Sequence, residues 1–191
     1  MRALTILTIF IISATCFAQD SNPEILLKSG TFTPNNEFIL EDLSTNTPNI
    51  FDGKYYRFMQ FAVLPSTNQK QKMENLGVHF LEYIPNNTFL VSISENISKK
   101  KLESFKVNAI IPVKPEQKIN PKLQNRKTPD WAKDGDNAML EVLLYKDVNL
   151  ALAFEQLKAN GFNVKEINTY SHAFIVSSNI SNLEKLAINP F

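Results

Sequence analysis

The fold of this chain is decided by residues 55–113, which read YYRFMQFAVLPSTNQKQKMENLGVHFLEYIPNNTFLVSISENISKKKLESFKVNAIIPV. Four runs of aromatic and aliphatic residues are separated here by turn residues and polar segments, a pattern typical of β-strands. The first run carries large apolar side chains on both faces, with Phe58 on one face and Met59 and Phe61 on the other. One face is predicted to pack on helices. The other is predicted to stay partly bare in the free chain unless a second body covers it. The predicted strands are 55–63, 78–84, 88–93 and 107–113.

Two helices are predicted between these strands. Ser66 followed by Gln69 forms a capping-box pattern, because each side chain reaches the other residue's free backbone N–H. Gly77 ends that helix, and Ser98 begins a second one that buries Leu102. The order βαββαβ predicts the ferredoxin-like plan, an antiparallel sheet with both helices on one face. The fold class is therefore predicted to be α+β.

Residues 139–191 repeat this plan and stop one element short. Residues 139–145, 162–168 and 172–177 have strand character. Between the first two of these strands, Leu150, Ala153, Phe154 and Leu157 form the apolar stripe of an amphipathic helix. Either Asp147 or Asn149 is predicted to cap that helix, and a Ser181–Glu184 capping box is predicted to begin the last one.

The two units are related by an almost constant offset. Gly161 follows Gly77 at nearly the same spacing at which Asn179-Ile180-Ser181 follows Asn96-Ile97-Ser98. We interpret the units as a tandem repeat. A ferredoxin-like sheet without its closing strand exposes an edge. We therefore expect the natural protein to continue beyond Phe191.

The N-terminal segment, residues 1–18, predicts an export signal. Arg2 supplies a positive end, residues 4–12 are apolar, and the small residues Cys16 and Ala18 precede a cleavage point before Gln19. The apolar run is shorter than the ~20 residues that span a bilayer. We expect a periplasmic or extracellular protein with no stable membrane anchor after cleavage. Lipid attachment at Cys16 is the alternative.

The predicted organisation is a signal peptide, a leader, two units and a linker. The linker contains three prolines and little apolar periodicity, and its Trp131 is predicted to dock against a neighbouring domain. The predicted boundaries are 1–18 for the signal, 19–54 for the leader, 55–113 for the first unit, 114–138 for the linker and 139–191 for the truncated second unit.

The composition excludes several classes of function. A net charge of +1 gives no basic field for nucleic acid, so the Lys99-Lys100-Lys101 run is interpreted as a solvated helix start. Cys16 is the only cysteine, so cleavage of the signal removes disulfide, thiolate-zinc and cysteine-nucleophile chemistry. His79 and His172 do not cluster, and Asp134 and Asp136 are interpreted as turn residues. We therefore predict no catalytic residue, no cofactor and no metal site.

Several motifs resemble the N-terminal pro-region of exported subtilisin-like serine peptidases. The similarity is closest to the two-unit, fervidolysin-like kind found in secreted proteases of Bacteroidetes-type bacteria. The resemblance covers nearly all of the chain after the signal and rests on soft hydrophobic patterns with a few glycines and turns. The motifs that carry it are 27–32 (LKSGTF), 56–61 (YRFMQF), 76–78 (LGV), 81–87 (LEYIPNN) and 110–112 (IIP).

This resemblance implies a function for the chain. Such pro-regions assist folding of the catalytic domain, inhibit it temporarily by packing a sheet face on it, and are then removed. The family's Asp, His and Ser motifs and its inhibitory tail are absent here, so no residue of this chain receives a catalytic role. The expected partner is the cognate subtilisin-like catalytic domain, a serine endopeptidase, downstream of this chain.

Other functions remain open at this stage. A stand-alone protease inhibitor would use the same modules. A ligand-sensing pair of periplasmic domains would need a polar pocket between the units. An exported interaction module with another partner is the third possibility.

Overall fold

The computed structural model describes residues 23–34 and 50–191, which form antiparallel sheets flanked by short helices. The predictions of an α+β class and of antiparallel sheets are confirmed. The predicted export signal and the question of lipidation at Cys16 lie outside the described residues.

The leader forms a hairpin. Strands β1 (Ile25–Leu27) and β2 (Gly30–Phe32) pair antiparallel around the turn at Lys28 and Ser29. Ile25 is fully buried, so this hairpin is part of the packed structure.

The first sheet follows the order β7–β4–β6–β5, with β3 pairing the first residues of β4 on the same edge as β7. Adjacent strands all run antiparallel. The strands are β3 (Ile50–Phe51), β4 (Lys54–Phe61), β5 (Val78–Ile84), β6 (Thr88–Ser94) and β7 (Val107–Pro112).

Two helices cover one face of this sheet, α1 (Thr67–Glu74) and α2 (Lys99–Glu103). The Ser66–Gln69 capping box is confirmed, since the Ser66 hydroxyl accepts from the Gln69 N–H and the Ser66 N–H donates to the Gln69 side chain. Burial of apolar side chains here supplies the driving force for this half of the core. The buried residues between helices and sheet are Met59, Phe61, Met73, Val78, Phe89, Val91, Ile93, Leu102, Val107 and Ile110.

The segment between the units contains regular structure. Helix α3 (Pro115–Lys118) is followed by two short 3-10 turns and by strand β8 (Lys133–Asp134). Ile119 and Leu123 are partly buried against the core. This segment therefore packs on the units that it connects.

The second sheet has the order β10–β11–β9–β8, again antiparallel. Its longer strands are β9 (Asn137–Leu143), β10 (Asn163–Asn168) and β11 (Ala173–Ser178). Its helices are α4 (Leu150–Ala159) and α5 (Leu183–Ala187).

The caps of the second unit differ in part from the prediction. Asn149 caps α4, because its side-chain oxygen accepts from the N–H groups of Ala151 and Leu152. The predicted Ser181–Glu184 capping box is wrong. The Asn179 side chain instead accepts from the Ser181 N–H and begins a 3-10 turn that precedes α5.

The far face of the first sheet is buried. Phe58 is 4% exposed, Leu90 6% and Ile111 8%. The prediction that this face stays bare in the free chain is wrong, because the leader hairpin and the second unit cover it. These side chains belong to one apolar cluster that also contains Leu140 and Phe174 of the second unit. The cluster therefore joins the two units into one continuous core.

Candidate interaction surface

The contact between the units is aromatic at two points. The Tyr56 and Tyr145 rings stack with centroids 4.7 Å apart. Phe51 meets Phe191 edge to face at 4.6 Å. Such pairs add about 0.5–1.5 kcal/mol beyond the apolar area that they bury. Strand β4 is thereby tied to the segment just after β9, and β3 is tied to Phe191.

Asp147 forms the polar centre of this contact. Its carboxylate Oδ2 accepts from the Lys54 ammonium at 3.0 Å and from the Ser92 hydroxyl at 2.6 Å. The Lys54 ammonium also donates to the Asp147 carbonyl at 3.3 Å. Burial, followed by the Asp147 carboxylate, raises the pKa of the nearby Tyr56 hydroxyl, so this phenol stays neutral. One carboxylate of the second unit therefore holds two side chains of the first sheet.

Sequence reasoning missed this role for Asp147. The sequence places the residue just before α4, where a capping role is the local expectation. Lys54 lies 93 residues away and Ser92 lies 55 residues away. No periodicity within either segment could have paired them.

Replacing Asp147 tests this contact. Asp147→Ala leaves a half-buried ammonium and a hydroxyl without their acceptor. We expect a loss of about 2 kcal/mol in the free energy of unfolding. Urea denaturation measures it as a lower midpoint with an unchanged slope. Glu155→Ala, on the exposed side of α4, is the matched control and should change stability by less than ~0.5 kcal/mol. Equal effects of the two variants would contradict the role assigned to Asp147.

The leader hairpin and α3 are held by further polar contacts. The Gln60 amide donates to the Pro23 carbonyl at 2.8 Å, and the Asn86 amide donates to the Glu24 carbonyl at 2.6 Å. The Lys118 ammonium donates to the Asn189 carbonyl at 2.5 Å. Burial, with a smaller contribution from Arg57, lowers the pKa of Lys118 to about 8. The backbones of the leader and of the C-terminal segment are thus both anchored.

The face of the second sheet that is turned away from α4 and α5 is more exposed to solvent than the far face of the first sheet. Leu143 on this face is 66% exposed, and Ile175 is half-buried. In the strand register Ile175 lies between Glu141 and Glu166. We call this the outer face, and it comprises Met139, Glu141, Leu143, Asn163, Glu166, Asn168, Ala173, Ile175 and Ser177.

A polar group stands at one end of the outer face. The Ser177 hydroxyl donates to the Asp134 carboxylate at 2.6 Å, and the Lys165 ammonium lies 3.0 Å from the same oxygen. The Ser177 hydroxyl, followed by Lys165, lowers the pKa of the Asp134 carboxyl. Asp134 thus links three strands through its side chain, beyond the turn role that the sequence predicts.

The two histidines lie apart, one on the first sheet and the other in a turn of the second unit. His79 is exposed on β5. His172 is half-buried in the turn before β11, with a positive φ of 54°. Its carbonyl accepts from the Leu144 N–H at 3.0 Å, which ties the turn to the end of β9. Within the described residues, no three His, Cys, Asp or Glu side chains form a group suited to a metal ion.

Trp131 does not dock on either unit. It is 87% exposed in the 3-10 turn before β8, so the predicted anchoring role is wrong. The neighbouring Ala132 is the buried residue of that turn. Trp residues are enriched at protein interfaces, although single exposed apolar residues are also common on protein surfaces. Trp131 therefore adds an aromatic side chain near β9, which this turn contacts.

No helix in the part of the chain that the structure describes is long and apolar enough to cross a membrane.

One family model matches the chain, over residues 26–114. It is described as a domain of unknown function, DUF8729. The match runs through the leader hairpin and the first sheet. No curated protein and no solved structure matches the chain.

Proposed function

We propose that this chain is the pro-region of an exported subtilisin-like serine peptidase. It assists folding of the catalytic domain and inhibits it temporarily, with the second unit as the docking part. The observation that carries the proposal is the outer face of the second sheet. It is an antiparallel surface on which the Leu143 side chain is 66% exposed and Ile175 is half-buried, on a unit whose core is continuous with that of the first.

The strand orders support two tandem ferredoxin-like units. In the first unit, the order β7–β4–β6–β5 corresponds to strands four, one, three and two of the βαββαβ plan. In the second unit, β9, β11 and β10 take the places of strands one, three and two. The hairpin pairs Phe51–Lys54 and Asp134–Asn137 are related by the same offset as Asn96 and Asn179, which extends the repeat to β3 and β8.

The burial of the sheet faces indicates which unit contacts the catalytic domain. Helices cover one face of the first sheet, and the leader hairpin and second unit cover the other. The first unit therefore has no free sheet face for a partner. On the second sheet the outer face is accessible around Leu143 and Ile175, which Glu141 and Glu166 flank, whereas Ala173 and Ser177 of the same face are buried. A catalytic domain that receives this face needs an apolar patch bordered by basic groups or by helix N-termini.

Inhibition of proteolysis tests the proposal. The purified chain is expected to inhibit subtilisin-like peptidases, measured as loss of hydrolysis of a chromogenic peptide, and to raise the yield of active enzyme on refolding. Leu143→Glu should weaken inhibition at least about tenfold, because a desolvated carboxylate costs more than about 1.4 kcal/mol. Val63→Glu is the matched control, because Val63 is 68% exposed and lies in the first unit. It should inhibit like the unchanged chain.

Two results would contradict the proposal. One is the absence of both inhibition and refolding assistance across a panel of subtilisin-like peptidases. The other is an equal loss of inhibition in the Leu143→Glu and Val63→Glu variants. Inhibition that persists without cleavage of the chain would favour a stand-alone inhibitor that uses the same face.

The ligand-sensing alternative has less support. It requires a polar pocket between the units. The boundary is instead filled by the Tyr56–Tyr145 and Phe51–Phe191 ring pairs. The Asp147 Oδ2 oxygen at this boundary is engaged by Lys54 and Ser92.

A further inference from the structure

We propose that the Lys127–Thr128 peptide bond is a processing site, at which an endopeptidase specific for basic side chains cuts the chain into two parts that stay associated. Water adds across the amide bond, which leaves a carboxylate on Lys127 and an ammonium group on Thr128. The part before the bond contains the first unit, and the part after it contains the second. This site is separate from the outer face, and the proposal does not rest on the proposed function.

The segment around this bond is exposed and irregular. Residues 124–130 are exposed apart from the half-buried Thr128, and residues 126–129 form neither helix nor strand. The segment lies between two 3-10 turns, Pro121–Leu123 and Asp130–Ala132. Exposed polar segments of this kind are the preferred sites of proteolytic nicking.

The backbone at the bond is open to a peptidase. In the described part of the chain, neither the Lys127 carbonyl nor the Thr128 N–H takes part in a hydrogen bond. Pro129 is extended, with φ −60° and ψ 152°, and its ring disfavours a helical conformation of Thr128. An extended segment with free backbone groups can be bound as an added strand, through main-chain hydrogen bonds. The segment therefore already has the form in which a substrate cleft would receive it.

Lys127 supplies the side chain that such a peptidase recognises. It is exposed, and within the described residues its ammonium group has no hydrogen bond or ion pair. The neighbouring Arg126 is held in place, because its guanidinium donates to the Ile180 carbonyl at 3.2 Å and pairs with the Glu184 carboxylate. Arg126 also has a positive φ of 55°. A specificity pocket for basic side chains can therefore take Lys127 without breaking a contact of the chain.

The other lysines of the connecting segment are less suited. Lys118 and Lys133 are engaged by other residues of the chain. Lys114 and Lys122 lie at the start of α3 and within the first 3-10 turn. Hydrolysis beside a helical turn requires that turn to open, which costs free energy. Lys127 is therefore the expected position of the first cut.

Cutting this bond does not separate the units, because one core spans them. Phe58 and Ile111, before the bond, belong to the same apolar cluster as Leu140 and Phe174, after it. The carboxylate of Asp147 also binds side chains on the other side of the cut. In the intact chain the connecting segment keeps the units at a high effective concentration. In the cut protein their association depends on concentration, so processing makes release of the second unit possible.

Limited digestion with trypsin tests the site. We expect the first cut to give a fragment that begins at Thr128, identified by its mass. Trp131 is the only tryptophan and lies in this fragment, so its fluorescence marks it. The two fragments should elute together in native gel filtration and separately in urea. Lys127→Gln should slow the first cut at least about tenfold, because glutamine lacks the charge that the specificity pocket binds.

Two further variants separate Lys127 from its neighbours. Lys122→Gln removes another exposed lysine and is the matched control, so the rate of the first cut should not change. Arg126→Gln releases the segment from Ile180 and Glu184 and should speed the cut after Lys127. In protein isolated from its native source, mass spectrometry should detect the fragment that begins at Thr128.

Three results would overturn the proposal. A first cut at another position, or an unchanged rate in Lys127→Gln, would show that the Lys127–Thr128 bond is not the accessible one. Fragments that separate in native gel filtration would show that the connecting segment, rather than the shared core, holds the units together. A chain from the native source that is always intact at this bond would remove its role in processing.

Discussion

Phe58→Ala is expected to destabilise both units together, by about 3–5 kcal/mol. The ring is 4% exposed, lies 6.1 Å from the Phe32 ring of the leader, and belongs to the cluster that extends into the second unit. Its loss leaves a cavity where leader, first sheet and second unit meet. Cavities in such a place relax only partly, which adds to the lost transfer free energy.

Hydrogen exchange distinguishes joint from local loss of stability. Amides of β6 and of β11 should lose the same protection free energy in Phe58→Ala, because one core unfolds as one unit. Thermal unfolding should remain a single transition at a lower temperature. Val63→Ala, at an exposed position of the same unit, serves as the control and should stay within ~0.5 kcal/mol. Loss of protection confined to β6 would show that the units unfold independently.

Gly77→Ala is expected to cost about 3 kcal/mol, of which the backbone conformation and a steric collision each supply a part. Gly77 has a φ of 96°, a conformation that side chains disfavour by about 1–2 kcal/mol. A Cβ there would also lie 2.8 Å from the Ser94 Cβ, well inside contact distance. The Gly77 carbonyl accepts from the Ser94 N–H at 2.9 Å, so the backbone cannot easily move away.

The second unit supplies the control for this change. Gly161, which follows α4, has a φ of 82° with nothing within 4 Å of an added Cβ. Gly161→Ala should therefore lower the free energy of unfolding only by the cost of the backbone conformation, about 1–2 kcal/mol. Adding Ser94→Gly to Gly77→Ala removes the colliding atom and should recover part of the loss. Equal costs at the two glycines, measured by urea denaturation, would contradict the steric explanation.

Local patterns in the sequence were enough to place most of the elements. The predicted strand 78–84 coincides with β5, and the Ser66–Gln69 capping box begins α1. The 150–157 stripe lies in α4, where Ala153 and Leu157 are buried. These features are encoded by side-chain periodicity and capping within a few residues, so neighbouring residues suffice to read them.

The second predicted cap shows where such patterns fail. Ser181 and Glu184 have capping-box spacing, yet Asn179 begins the turn there. An Asn side chain competes for the same free N–H groups, and the spacing rule does not rank the two. The interaction surface was even less predictable from sequence. Alternation shows that both faces of β4 are apolar, but the same pattern fits a face covered by the chain's own second unit or by a partner.

Only the tertiary structure decided which apolar surfaces are covered. Phe58 is buried beneath the second unit, whereas Leu143 and Trp131 remain exposed. The Asp147 carboxylate binds Lys54 and Ser92 of the first sheet instead of capping α4. Periodicity records which side of an element is apolar, because that depends on the pleat or the helix turn. It does not record the surface that meets that side, because the contact joins residues far apart in the chain and depends on how whole elements pack.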